Sequence, residues 1–136
     1  MTRVFADTGY WIALLNTRDE LHEKATGLAE RFSTAEIFTS QMVLVELLNA
    51  FSEYGRHLRE AAASAVEALR SMPQVVIIPQ SGQQFEVALR QYKQASDKHW
   101  SLTDCASFQI MREQVIEAAM TYDRHFVQAG FQALLR

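Results

Sequence analysis

At 136 residues, 49% hydrophobic and with a formal net charge of -3, the chain is long enough for one domain with a sizeable core and too short for two ordinary ones. Its longest apolar runs, such as Met42 to Val45 and Val75 to Ile78, fall far short of the roughly 20 residues of a membrane span, and Met1 to Asp7 lacks the basic start and long apolar stretch of an export signal, so no membrane contact and a cytoplasmic protein are expected. A single cysteine, Cys105, excludes an internal disulfide and reads as a small buried helix residue; no Cys and His spacing suits zinc, and the negative charge gives no overall basic footprint for nucleic acid.

Arg3-Val4-Phe5-Ala6 is strand-like, and Asp7-Thr8-Gly9 breaks it before Tyr10 to Leu15, which begins a buried helix. Asp19 to Phe32 puts Leu21, Ala25, Leu28, Ala29 and Phe32 on one face of an amphipathic helix. Ala35 to Thr39 is a second short strand, followed by a helix from Met42 to about Tyr54. Gly55 is a break, and Arg59 to Met72 is an alanine-rich helix stopped by Pro73, so the two helices form a hairpin. Val75-Val76-Ile77-Ile78, almost wholly β-branched, predicts a strand covered on both faces by helices. Gln83 to Ala95 and Leu102 to Arg112 have helical spacing, and Ile116 to Thr121 and Phe131 to Leu135 supply two last strands. This alternation implies an α/β fold, a short parallel sheet of about five strands sandwiched between helices.

Within this framework the acids carry the chemistry, and each also has an ordinary explanation. Asp7 is placed to cap a helix. Ser101-Leu102-Thr103-Asp104 resembles a capping box, with Asp104 in place of the usual glutamate, and Asp123 is placed to cap a helical turn before Arg124-His125-Phe126. Glu46 interrupts an apolar helix, where a buried carboxylate needs a partner; alternatively it belongs to a solvent stripe with Asn49 and Glu53. Together the positions gain weight, because Asp7 and Asp123 end predicted parallel strands, where open α/β sheets place ligands. Acids converging to about 5 Å repel by roughly 3 kcal/mol per pair at an effective dielectric near 20. They need a cation to stay ionised, and an all-oxygen set favours magnesium or manganese over zinc.

These segments resemble the PIN domains, in particular the VapC-type toxins of bacterial toxin and antitoxin pairs, and the match runs the whole chain. The residues that carry it are Asp7-Thr8 at the end of the first strand, Glu46 with Asn49 one turn on, Trp100-Ser101-Leu102-Thr103-Asp104-Cys105, and Thr121-Tyr122-Asp123-Arg124-His125-Phe126 followed by Gly130-Phe131. Gly9 departs from the Ser or Asn more usual after Asp-Thr and removes one auxiliary side chain. The resemblance implies a single PIN domain over residues 1–136 that hydrolyses RNA phosphodiester bonds. Asp7, Glu46, Asp104 and Asp123 would be its catalytic and metal-binding acids, Mg2+ or Mn2+ its cofactor, and Thr8, Asn49, Ser101 and Thr103 its auxiliary groups. It also implies a homodimer and an antitoxin partner whose segment covers the acidic groove.

Other readings remain beside this one. A non-catalytic RNA- or protein-binding module would be favoured by a missing acid, and none is missing. Small-molecule phosphoryl transfer lacks an Asp-x-Asp after the first strand and a phosphate-cradling glycine loop, and the chain is short for a DNA flap nuclease. Lys98, Arg112 and Arg124 are either surface charges or RNA-backbone contacts. His99 and His125 are read as bystanders, Trp11 and Trp100 as core or interface, and Ala62, Ala65, Val66 and Leu69 as core packing.

Overall fold

The computed structural model describes residues 2–136. Five strands, β1 (Arg3–Ala6), β2 (Glu36–Ser40), β3 (Val75–Ile78), β4 (Ala118–Met120) and β5 (Gln132–Ala133), form one sheet in the order β3-β2-β1-β4-β5. Every pairing is parallel, as the strand and helix alternation predicts. Between them run α1 (Thr8–Leu15), α2 (His22–Arg31), α3 (Gln41–Phe51), α4 (Gly55–Ser71), α5 (Gly82–Gln94), α6 (Leu102–Glu113) and the short α7 (Arg124–Gln128).

The core explains why β1 is central. Val4, Phe5 and Ala6 are wholly buried, as expected of a parallel strand covered on both faces. Phe5, Tyr10, Phe51, Phe108, Phe126 and Met111 belong to the same apolar cluster. Phe108 meets Phe126 edge to face at 5.0 Å and Trp100 at 5.0 Å, which ties α6, α7 and the segment before α6 together. Met42, Ala88, Cys105 and Ala106 form a smaller cluster between α3, α5 and α6, with Cys105 a free, fully buried thiol.

Three expectations change. Val75 to Ile78 is a strand, but an edge strand that pairs only with β2, and all four residues are half-buried where cover on both faces was expected. Its β-branched composition reports strand preference, which an edge position satisfies as well as a central one. Secondly, α4 begins at Gly55 and not at Arg59. Gly55 adopts φ +88, a left-handed conformation, so the chain turns there and the helix starts at once. The late start of α2, at His22, has a local cause: Asp19 Oδ1 accepts the Leu21 amide in a side-chain turn.

The strand order locates a crevice. From β1 the chain moves outward through β2 to β3, then returns across the sheet to place β4 on the other side of β1. Open α/β sheets bind ligands outside the carboxyl ends of strands at such a reversal. Here those ends are Ala6 and Met120, directly before Asp7 and Thr121.

Candidate active site

Asp7 leaves β1 with its amide bonded to the Met120 carbonyl at 3.3 Å, which extends the β1–β4 pairing by one residue. It occupies the N-cap position of α1, but its side chain forms no cap bond. The carboxylate instead accepts the Thr121 hydroxyl at 2.9 Å, and that hydroxyl in turn accepts the Asp123 amide at 3.0 Å. One buried threonine thus fixes both acids that follow the central strands. The sequence reading names Thr121 within the motif but gives it no role, although an alcohol two residues before an acid at a strand end is a visible signal.

Glu46 is reached from the other side. On α3 it is half-buried, and its Oε1 accepts the Thr8 hydroxyl of α1 at 2.7 Å. The solvent-stripe alternative is set aside for Glu46, since Asn49 and Glu53 are exposed and it is not. Thr8 therefore holds a carboxylate, whereas Asn49, expected as an auxiliary group, lies exposed one turn beyond Glu46.

Asp104 and Asp123 show that capping and clustering are compatible. Ser101 Oγ accepts the Asp104 amide at 3.0 Å while Asp104 Oδ2 accepts the Ser101 amide at 3.1 Å, a complete capping box at the start of α6. Asp123 Oδ1 accepts the His125 amide at 2.9 Å and caps α7. Each cap uses one carboxylate oxygen and points the group into the crevice. Ser101 acts here as the cap, and Thr103 is half-buried in the first turn of α6.

His125 joins them, against the expectation that it is a bystander. Its Nδ1 lies 3.1 Å from Asp104 Oδ2 and 3.2 Å from Asp123 Oδ1. Ionised carboxylates only accept, so the nitrogen between them carries the proton and donates. The cap that starts α7 at Asp123 puts residue 125 back over the acids; this is why the bystander reading fails. One donor atom from each of Asp104, Asp123 and His125 lies within 4.8 Å of the others. His99, by contrast, is exposed.

The electrostatics link the four acids. Asp7 is only 7% exposed, and burial pushes its carboxyl up to about 7; the charges of Asp104 and Glu46 add to this, while the Thr8 amide and Thr121 hydroxyl oppose it. Burial also raises Asp104, with Asp123 adding and Ser101 and His125 opposing. Among the described residues no lysine or arginine forms an ion pair with any of the four. Carboxylates crowded and desolvated without a protein cation suit a hard divalent ion, which supplies the missing charge through oxygen ligands. The donor set therefore fits magnesium or manganese, with a histidine nitrogen beside the oxygen-only set that the sequence suggests.

A family model described as PIN domain matches residues 4–132. The chain belongs to the PIN-domain family. Among curated relatives, the 23S rRNA-specific endonuclease VapC20 of Mycobacterium tuberculosis, from strains CDC 1551 / Oshkosh and H37Rv, is 30% identical over 131 residues, covering 94% of this chain and 95% of the relative. The crystal structure of that VapC20, described as a Sarcin-Ricin loop cleaving toxin, superposes on this PIN domain with a TM-score of 0.82 at 29% identity, covering 94% and 95% of the two chains. FitAcB from Neisseria gonorrhoeae shares the fold at a TM-score of 0.66 and 15% identity, over 96% and 95% of the two chains. The family and the parallel α/β architecture agree with what the motifs imply.

Proposed function

We propose that this PIN domain, a single domain over residues 1–136, is an endoribonuclease that requires Mg2+ or Mn2+ and acts in the cytoplasm as the toxin of a toxin and antitoxin pair. The observation that supports it most is the grouping of Asp104, Asp123 and His125 within 4.8 Å, beside a buried Asp7 whose carboxyl is pushed up to about 7 chiefly by burial, with the charges of Asp104 and Glu46 adding. Asp7, Glu46, Asp104 and Asp123 are its catalytic and metal-binding residues. The VapC20 relative makes structured ribosomal RNA the first substrate to test. A homodimer and an antitoxin segment laid over the acidic crevice complete the reading. No helix is long and apolar enough to cross a membrane among the described residues.

A bound divalent ion supplies a water of lowered pKa and stabilises charge developing on the scissile phosphate. The chain's own residues prepare the place. Asp7 and Asp104 present desolvated carboxylates, Asp123 and Glu46 flank them, and Thr121 and Thr8 hold Asp7 and Glu46 by single hydroxyl bonds. His125 Nδ1 donates to Asp104 Oδ2 and lies 3.2 Å from Asp123 Oδ1, which sets its ring between the two acids.

The test is cleavage of end-labelled ribosomal RNA fragments by purified protein in magnesium or manganese, with EDTA controls. Cleavage that vanishes in EDTA is expected. Binding of RNA without cutting under either metal would leave a binding module in place of the enzyme.

Thr121→Val gives a second check. The hydroxyl is buried and joins two polar groups, so its removal leaves Asp7 and the Asp123 amide each one partner short. Cleavage should fall about 10- to 100-fold, as for groups that orient metal ligands, and urea unfolding should show a loss of about 1–3 kcal/mol. Thr121→Ser should restore both; a Val variant with wild-type rates would mean that Thr121 positions nothing.

A further inference from the structure

Resting on the ribonuclease reading, we propose that the face formed by the end of α5, the segment 95–101 and α7 is the track that binds the RNA strand flanking the scissile phosphate, with a phosphate seat and a base-stacking seat side by side. Two clefts make it up. One, of about 220 Å3, is lined by Asp97, Lys98, His99, Arg124, His125 and Gln128. The other, of about 560 Å3, is lined by Tyr92, Lys98, His99, Trp100 and Ser101 among others.

Their connectivity gives them direction. The first shares His125 with the acid cluster, the second shares Ser101, which caps Asp104, and the two share Lys98 and His99. A strand with its scissile phosphate on the acids therefore passes the Lys98 and His99 ridge next. The chemistry changes along the same path, from carboxylates to cations to an aromatic ring. Arg124 is exposed and forms no ion pair among the described residues, and Tyr92 is 50% exposed. Cations seat phosphates whatever the sequence, and an exposed ring stacks any base. A net charge of -3 gives the polyanion no general attraction, so a local cationic wall beside the acids is what brings it in.

The wall is rigid. The Lys98 amide bonds the Ala95 carbonyl at 2.9 Å, and Trp100 Nε1 donates to Gln128 Oε1 at 2.9 Å, tying the segment to α7. Trp100 is occupied with this bond and with Phe108, so Tyr92 is the stacking platform. Asp97 opposes the wall through an ion pair with Lys98 at 3.2 Å. That pair is between sequence neighbours at the surface, and such pairs are weak enough for a phosphate to displace.

The experiment compares wild type with Lys98→Gln/Arg124→Gln, Tyr92→Ala and Asp97→Asn, measuring cleavage kinetics and, separately, gel-shift binding of the same labelled RNA across a salt series. The double variant should raise KM about 10-fold with kcat within about twofold, and its log K against log salt slope should shrink by about 1.4, about 0.7 for each phosphate no longer neutralised. Tyr92→Ala should weaken binding about 10-fold with little change in salt slope, and Asp97→Asn should lower KM. Trimming the RNA next to the scissile bond should abolish the penalty of the double variant. If wild type cuts and the variants match it in KM and salt slope, the track is wrong and the ribonuclease stands. A fall in kcat instead of a rise in KM also overturns it. If wild type binds without cutting and the variants weaken binding as stated, the track stands and the ribonuclease falls; no binding at all removes both.

Discussion

Asp104→Asn is expected to cut RNA cleavage by about three orders of magnitude, the scale seen when one preorganised charge-stabilising group is lost at a reacting centre. The substitution keeps the shape of the side chain and one acceptor oxygen, so the Ser101 capping box and the fold survive with a cost of about 1 kcal/mol. It removes the charge that burial and Asp123 already make costly to hold, and with it the reason for a divalent ion to sit there. Asp123→Asn should cost less, because its side chain is 36% exposed against 11% for Asp104 and water partly replaces what the crevice loses. Initial rates on labelled RNA at saturating magnesium, with circular dichroism to verify folding, provide the measurement. An Asp104→Asn enzyme that keeps a tenth of the wild-type rate would take Asp104 out of the chemistry.

The contrast between these two acids indicates what a sequence can and cannot disclose. The helices and strands were legible because buried faces recur with helical or strand period, and the parallel sheet followed from their alternation. Strand order was not: Val75 to Ile78 has the most β-branched composition and lies at the edge, while central β1 includes Arg3 and the small Ala6. Composition records a residue's own preference, and a place in the sheet depends on which strands the crossovers bring back. The return of the chain from β3 to β4 is what brings Asp123 beside Asp7 across more than a hundred residues.

The acids themselves were legible as a set through their motifs, and so were the caps that Asp104 and Asp123 form. Capping and clustering stood as alternatives, and for Asp104 and Asp123 the caps form while their carboxylates also meet beside His125. For Asp7 the capping alternative fails, because its carboxylate turns to Thr121. His125 is discounted in the sequence because the carboxylates and a metal already account for the chemistry. Only the backbone turn at Asp123 places its ring over Asp104.

Asp7→Asn should abolish cleavage and, in EDTA, stabilise the protein. The wild-type carboxyl, at about 7 in the folded chain and near 3.8 when unfolded, binds its proton more tightly in the native state. Below about pH 4 both states are protonated and Asp7 costs nothing. As pH rises toward 7 the unfolded state gains from ionisation first, so stability falls through that window and levels off above it. A shift of about 3 units corresponds to about 4 kcal/mol, an upper bound reached only above pH 7. The amide keeps an acceptor for Thr121 and has no charge to desolvate, so the variant should exceed wild type by up to about 10 °C in Tm at pH 8 and match it near pH 4. Magnesium should close the gap from the wild-type side, adding about 2.7 kcal/mol at one hundred times its dissociation constant, and should leave the variant much less changed. Thermal melts at both pH values, with EDTA and with magnesium, resolve the four cases. Wild type that is more stable than Asp7→Asn at pH 8 in EDTA would mean that the buried charge is already compensated within the chain, and that the crevice has no need of a cation.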